Sequence, residues 1–418
     1  MAGPAETPGA LIARGLTWRQ LVELEACTGC GECRTWCPVH AQDPREAVCA
    51  RGKLAALRSL VGSGLPHNEQ AAFLESLYEC SACGQCHVIC PVRIDTPELW
   101  EQARFALTRA GFARPEAQTR QIGAIREFDN SYSRPQAQRG DWADRAWRAG
   151  LLKRPIPLRR DRAAPFLYFA GCTASFDPPL QPVAVQSARL LQEAGIDFAI
   201  LGPQEPCCAS KLRRMGDEHF AAEASRRLGA LCSLGDATIV ASCAGCFKGL
   251  HGDYERVRPG ALRVRHLTQL LDELIAAGRL PLRHAVPLRV TYHDPCHLGR
   301  HSQIYDEPRR ILRAVPGLEF IEMERHGAFS ACCGMGGGLK LANEGIQHRM
   351  GAQRIREAEM IGVQAIVTPC QTCCIGLDNG VKETGSALRV LHLNDVLALA
   401  VCPEVASDKV LAAFEVYQ

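Results

Sequence analysis

Cysteines at fixed spacing are the residues of this chain best suited to chemistry. Cys27, Cys30, Cys33 and Cys37 form a C-x2-C-x2-C-x3-C run followed by Pro38, and Cys80, Cys83, Cys86 and Cys90 repeat it before Pro91. Three thiolates on one tight loop reach three irons of one 4Fe–4S cubane, while the fourth, displaced and turned away by the proline, reaches a second cubane. The expected ligand sets are therefore crossed: Cys27, Cys30 and Cys33 with Cys90, and Cys80, Cys83 and Cys86 with Cys37. Gly31 and Gly84 fall inside the loops, where backbone must come close to sulfur. A four-cysteine zinc site usually pairs two C-x2-C hairpins instead, so the run points to iron.

A second, longer repeat follows. Cys172, the pair Cys207–Cys208, then Cys243 and Cys246 are matched by Cys296, the pair Cys332–Cys333, then Cys370 and Cys373. The gaps from single cysteine to pair are 34 and 35 residues, and those from pair to C-x2-C are 34 and 36. Two gap-conserving copies indicate duplicated structural units. Each gathers five soft ligands, more than a tetrahedral zinc ion or a four-ligand cubane needs, so a larger or less regular iron–sulfur centre is expected; burial as core thiols is the alternative. Of the 22 cysteines, four fall outside both patterns. Cys232 and Cys402 read as core, Cys49 lies in a short helical segment, and Cys374 is core or a substitute ligand beside Cys373.

The elements that must position these residues follow from periodicity. Residues 1–110 hold both short motifs between amphipathic stretches (RGKLAALRSLVGSG, EQAAFLESLYEC, TPELWEQARFALTRAGF), which predicts a helical ferredoxin-type domain with the loops inserted between helices; Thr96 is expected as an N-cap. Residues 111–163, rich in Arg and Pro, read as a solvated connector with short helices. From 164 onward strand and helix patterns alternate. Residues 164–285 and 286–418 are expected to form two pseudo-symmetric α/β lobes, each a parallel sheet with its cysteines at the C-terminal ends of strands.

Composition excludes several functions. Lys+Arg 48 against Asp+Glu 45 gives a net charge of +3, which argues against a nucleic-acid partner. With 47% hydrophobic and 22% charged residues the chain is folded, and no apolar run is long enough to span a bilayer. No export signal is evident at the N-terminus, so a cytoplasmic location is expected. GMGGG at 334–338 lacks P-loop spacing, and no strand leads into G-x-G-x-x-G, so no flavin or nicotinamide site is expected on this chain and its electron donor or acceptor is expected on another subunit. His293 and His297 flank Cys296 as candidate tuning or proton-relay groups, or as plain surface or neighbouring histidines. Lys211 and Lys340 follow the cysteine pairs as candidate counter-charges, or as exposed side chains.

The two C-x2-C-x2-C-x3-C-P motifs, followed by two copies of Cys, Cys-Cys and C-x2-C, resemble a fusion of the C and B subunits of heterodisulfide reductase, the layout of its D subunit. The same pattern is similar to the iron–sulfur subunits of glycolate oxidase and anaerobic glycerol-3-phosphate dehydrogenase. The resemblance spans about residues 20 to 400. It implies two cubane 4Fe–4S clusters and one or two further noncubane 4Fe–4S clusters. The noncubane sets would be Cys172, Cys207, Cys208, Cys243, Cys246 and Cys296, Cys332, Cys333, Cys370, Cys373. It implies an iron–sulfur electron-transfer subunit of a multi-subunit oxidoreductase, with a catalytic heterodisulfide reductase subunit as the alternative. The implied partner is a flavin-containing dehydrogenase or a heterodisulfide-reductase A-like subunit. A membrane quinone-linked subunit would add peripheral attachment to the inner membrane face. One departure stands out: the family's Cys-Cys-Gly is present at Cys332–Cys333–Gly334, but the first copy reads Cys207–Cys208–Ala209, which matters if that backbone needs positive φ.

Overall fold

A computed structural model describes residues 7–62, 64–233, 235–406 and 408. The chain divides into two compact units. The first runs to Ile122 and takes in Lys211–Ala221 and Ala331–Gly351; the second comprises Gly123–Ser210, Ala222–Ser330 and the chain from Ala352.

The first unit is helical. Its helices include Trp18–Glu25, Ala50–Gly62, His67–Tyr78 and Thr96–Arg109. Leu54, Leu57, Phe73, Leu77, Leu99, Trp100, Ala103 and Leu107 recur at helical spacing and meet in one core with Ile12 and Leu24. Each such large side chain contributes about 1.5–3 kcal/mol on burial. The cap of Thr96–Arg109 differs from the expectation. Asp95 is the N-cap, accepting from Glu98 N at 3.4 Å, which frees the Thr96 hydroxyl to sit 2.8 Å from Cys86 Sγ.

Two further segments belong to this helical unit: Lys211–Ala221, shortly after the first cysteine pair, and Ala331–Gly351, which contains the second. Arg213 and Arg214 pair with the buried Glu101 at 2.8 and 2.7 Å, and Arg213 also with Glu98. In the other segment a Cβ on Gly337 would lie 2.1 Å from Cys80 O, and one on Gly336 2.4 Å from Ser81 O. Only glycine permits that approach, which gives the GMGGG run a packing reason against the second cysteine loop.

The second unit holds two four-stranded parallel sheets. The strands are β1 (Phe166–Phe169), β2 (Phe198–Ile200), β3 (Thr238–Ala241), β4 (Arg263–His266), β5 (Arg289–Tyr292), β6 (Glu319–Phe320), β7 (Ala365–Thr368) and β8 (Arg389–His392). The orders β2-β1-β3-β4 and β6-β5-β7-β8 are the same topology twice. The expected two α/β lobes are thus present. The apolar runs FLYF, FAI, TIVA and AIVT mark their strands in the sequence, whereas β4 and β8 (RVRH, RVLH) are short and bounded by Arg and His. Helices Gln181–Glu193 and Leu393–Val401 join the lobes: Gln186 Nε2 donates to Asp395 Oδ1 at 2.9 Å, and Asn394 Nδ2 to Ser187 Oγ at 2.7 Å. Part of the Arg/Pro-rich stretch is core, with Trp142 on helix Asp141–Arg148 edge-on to Tyr168 at 6.1 Å.

Candidate metal centres

Two pockets in the helical unit are lined by the short motifs. One, of about 400 Å³, is bounded by Cys27, Cys30, Cys33, Cys86 and Cys90. The other, of about 410 Å³, is bounded by Cys37, Cys80, Cys83 and Cys86. Cys90 lines the pocket of the first run and Cys37 that of the second, while Cys86 lines both. Gly31 and Gly84 start the short helices Glu32–Thr35 and Gln85–Ile89 at φ +87 and +79. Backbone N–H groups point at sulfur, from His40 to Cys37 Sγ at 3.5 Å and from Ala82 to Cys80 Sγ at 3.4 Å. Burial pushes the Cys37 thiol up to about 12, opposed by the nearby Lys53 ammonium. Convergent soft donors, N–H bonds to sulfur and nearby cations are a chemistry that fits thiolate-held iron–sulfur centres.

The first five-cysteine set lies wholly in the α/β unit. Cys172 follows β1, the pair Cys207–Cys208 follows β2, and Cys243 and Cys246 follow β3, so adjacent parallel strands deliver all five to one sheet edge. All are buried. Thiol–thiol hydrogen bonds link Cys172 to Cys207, Cys207 to Cys208, Cys208 to Cys246 and Cys246 to Cys243. Bonds from Cys207 and Cys246 lower the Cys208 thiol below its ordinary value. The chain of sulfurs continues, because Cys243 also bonds Cys370 and Cys370 bonds Cys373. Gln371 Nε2 donates to Ser242 Oγ at 3.0 Å beside that junction.

In the second set Cys296 follows β5 and Cys370 and Cys373 follow β7, again on neighbouring strands. His293 places a ring nitrogen within 4.8 Å of Cys373 Sγ. Its burial, aided by Arg354, lowers it to about 3, so it is neutral. Cys332 and Cys333 sit on the segment that packs with the helical unit, with Gly334 N donating to Cys332 Sγ at 3.3 Å. Lys211 is exposed and Lys340 faces Glu344 at 3.4 Å. Cys402 and Cys374 are buried and Cys232 half-buried. Cys49 lies between a 3-10 turn and helix Ala50–Gly62, its thiol 3.1 Å from Glu46 O.

Several residues around the sulfurs were not picked out by sequence reading. Arg139 and Glu205 form a buried pair at 3.0 Å; Arg139 Nη2 reaches within 3.5 Å of Cys172 Sγ, and Glu205 accepts from Ala170 N and Gly171 N. His266 and His392 end β4 and β8 and cap the next helices, each accepting an N–H at Nδ1. Burial lowers them to about 4 and about 3, leaving neutral rings. Their shared His-Leu step at the start of a helix is the one sequence signal that could have found them.

The fold and its cysteine sites define an iron–sulfur protein built from a helical region and two cysteine-rich α/β lobes. The family described as "Cysteine-rich domain" matches residues 166–251 and 290–378, and "4Fe-4S dicluster domain" matches residues 23–94. The chain belongs to the family of the heterodisulfide reductase D subunit and related iron–sulfur oxidoreductases. It is 31% identical to the D subunit of dihydromethanophenazine:CoB–CoM heterodisulfide reductase from Methanosarcina barkeri, over 95% of this chain and 98% of that protein. It is 29% identical to the EtfAB:quinone oxidoreductase of Syntrophomonas wolfei, over 94% of this chain and 60% of that protein. A crystal structure of a hypothetical protein from Helicobacter pylori shares the fold at TM-score 0.59 and 10% identity, over 94% of this chain and 76% of that one. The chain therefore carries 4Fe–4S clusters and serves electron transfer in an oxidoreductase. Among the described residues no helix is long and apolar enough to cross a membrane.

Proposed function

We propose that Cys27, Cys30, Cys33 and Cys90 hold one cubane 4Fe–4S cluster, and Cys37, Cys80, Cys83 and Cys86 a second. The crossed lining of the two pockets carries this reading. The five-cysteine sets hold one or two further, noncubane 4Fe–4S clusters. Bound clusters supply one-electron redox chemistry; the polypeptide contributes thiolates, N–H donors and charge. Residues 1–110 act as the two-cluster ferredoxin-type domain, 111–163 as connector, and 164–285 and 286–418 as the two cysteine-rich domains.

The chain works with partner subunits, exchanging electrons with a flavin-containing dehydrogenase or a heterodisulfide-reductase A-like protein. It operates in the cytoplasm, with peripheral membrane attachment where a quinone-linked partner is used. The packing of Gly336 and Gly337 on the Cys80 loop favours exit from the second pocket toward Cys332–Cys333. In the test, the reconstituted chain accepts electrons from a reduced flavoprotein while turning over no substrate alone. Zinc without iron in the purified protein would end this reading.

One observation favours a second reading, in which the chain itself reduces a disulfide. The Cys243–Cys370 contact brings the sulfurs of both repeats into one buried line. Two centres at that junction would deliver two electrons, one each, to a disulfide that takes up two protons and leaves as two thiols. Oxidation of reduced viologen by a heterodisulfide with this chain alone separates the two readings.

A further inference from the structure

Two fully buried cations in the helical unit, Lys53 and Arg104, form no ion pair with a carboxylate among the described residues. Lys53, on helix Ala50–Gly62, lines the pocket of Cys37, Cys80, Cys83 and Cys86, and its Nζ donates to Val48 O at 2.6 Å. Arg104, on helix Thr96–Arg109, gives its guanidinium to carbonyls: Leu77, Arg214, Gly337 at 3.0 Å and Cys80 at 3.2 Å. Lys53 is 1% exposed and Arg104 0%, and neither is ion-paired among the described residues. Glu79, next to Cys80, is already neutralised by Arg45 at 2.7 Å and bonded by the Asn343 amide at 2.8 Å. A buried cation with no counter-charge is strongly unfavourable. An anionic centre on four thiolates supplies that counter-charge.

The other pocket is built differently. Arg51 in its lining is paired with Glu46 at 2.6 Å, with both side chains a third or more exposed. Arg58 donates to Cys27 O at 3.0 Å and faces Glu25 at 3.8 Å. Glu32 adds a carboxylate to the lining, and Cys30 is exposed to water. Paired, hydrated charges of this kind act weakly on a neighbouring centre.

We propose that Lys53, backed by Arg104, stabilises the added electron at the Cys37/Cys80/Cys83/Cys86 site and makes it the stronger acceptor of the two sites in the helical unit. The electron then moves from the exposed pocket to the buried one with no bond made or broken. This rests on the ligand sets proposed above.

Anaerobic redox titration of the full chain, followed by electron paramagnetic resonance, tests it. The two waves are assigned first, by their loss in Cys83→Ser and in Cys30→Ser. If Cys83→Ser and Cys30→Ser do not each remove a different wave, the ligand reading falls and the inference with it, before Lys53 is touched. With the assignment made, the buried site is reduced at the less negative potential. In Lys53→Met its reduced-to-oxidised ratio at the wild-type midpoint falls about tenfold or more, the Cys30-dependent wave stays in place, and Lys53→Arg restores the wild-type value. If Lys53→Met loses that site's iron and Lys53→Arg keeps it, charge is again what the site requires. An unmoved wave in Lys53→Met, an equal shift in Lys53→Arg, or loss of iron in both overturns the proposal.

Discussion

The two cysteine-rich lobes share a strand order, the strand ends that carry their cysteines, and a histidine cap after the last strand. They differ around the sulfurs. In the first, the residue after the cysteine pair is Ala209 at φ +57; in the second it is Gly334 at φ +85. A Cβ on Gly334 would meet Gln347 Cγ at 3.1 Å. The positive φ is therefore a property of the loop, and the first lobe carries it on a buried alanine. The buried charges differ as well. Arg139–Glu205 lies against Cys172, whereas in the second lobe Arg309 grips Asp294, two residues before Cys296, at 2.7 and 2.9 Å. Duplication has preserved where sulfur is presented and let the surrounding electrostatics diverge, so the two sites are chemically unequal.

Removing a sulfur breaks the comparison most severely. Cys208→Ser and Cys333→Ser should lower iron by about four atoms per chain in each repeat that holds its own cluster, measured by iron analysis with sulfide; unchanged iron in either variant would remove that cysteine from the ligand sets. Arg139→Met comes next. It leaves Glu205 buried and uncompensated, for a loss of about 3–5 kcal/mol in anaerobic urea unfolding, and it alters the electronic spectrum of the first site. Arg309→Met should cost stability while leaving that spectrum unchanged. Gly334→Ala should cost at least about 1–2 kcal/mol from left-handed strain, plus the crowding against Gln347. The smallest effect is Ala209→Gly. It should raise stability by about 0.5–1 kcal/mol, the strain relieved being partly offset by glycine's larger unfolded-state entropy. A destabilised Ala209→Gly protein would show that the methyl makes a contact that outweighs the strain.

Much of the fold was legible because periodicity reports burial. The FLYF, TIVA and AIVT strands and the LAALRSL and FALTR helical faces are apolar where the core lies. The edge strands Arg263–His266 and Arg389–His392 were not legible, because each is four residues long, opens on Arg and closes on His, although the second is mostly buried. The Arg/Pro-rich stretch misleads for a related reason. Trp142, Ala143 and Ala146 form a buried stripe on a helix whose other face is charged, so average polarity conceals it.

The sequence by itself determined the inventory of sulfur. Spacing within a loop is a local, short-range constraint, so C-x2-C-x2-C-x3-C fixes which thiols share a turn and the two long repeats fix a duplicated lobe. Only the tertiary structure decided what surrounds that sulfur. Lys53 and Arg104 are buried without carboxylates, Arg139 reaches Cys172, and Cys243 meets Cys370, through contacts between segments tens to hundreds of residues apart. Packing of whole elements sets such contacts. They carry no signature in local spacing, yet they supply the charge that can make otherwise similar cysteine sites differ.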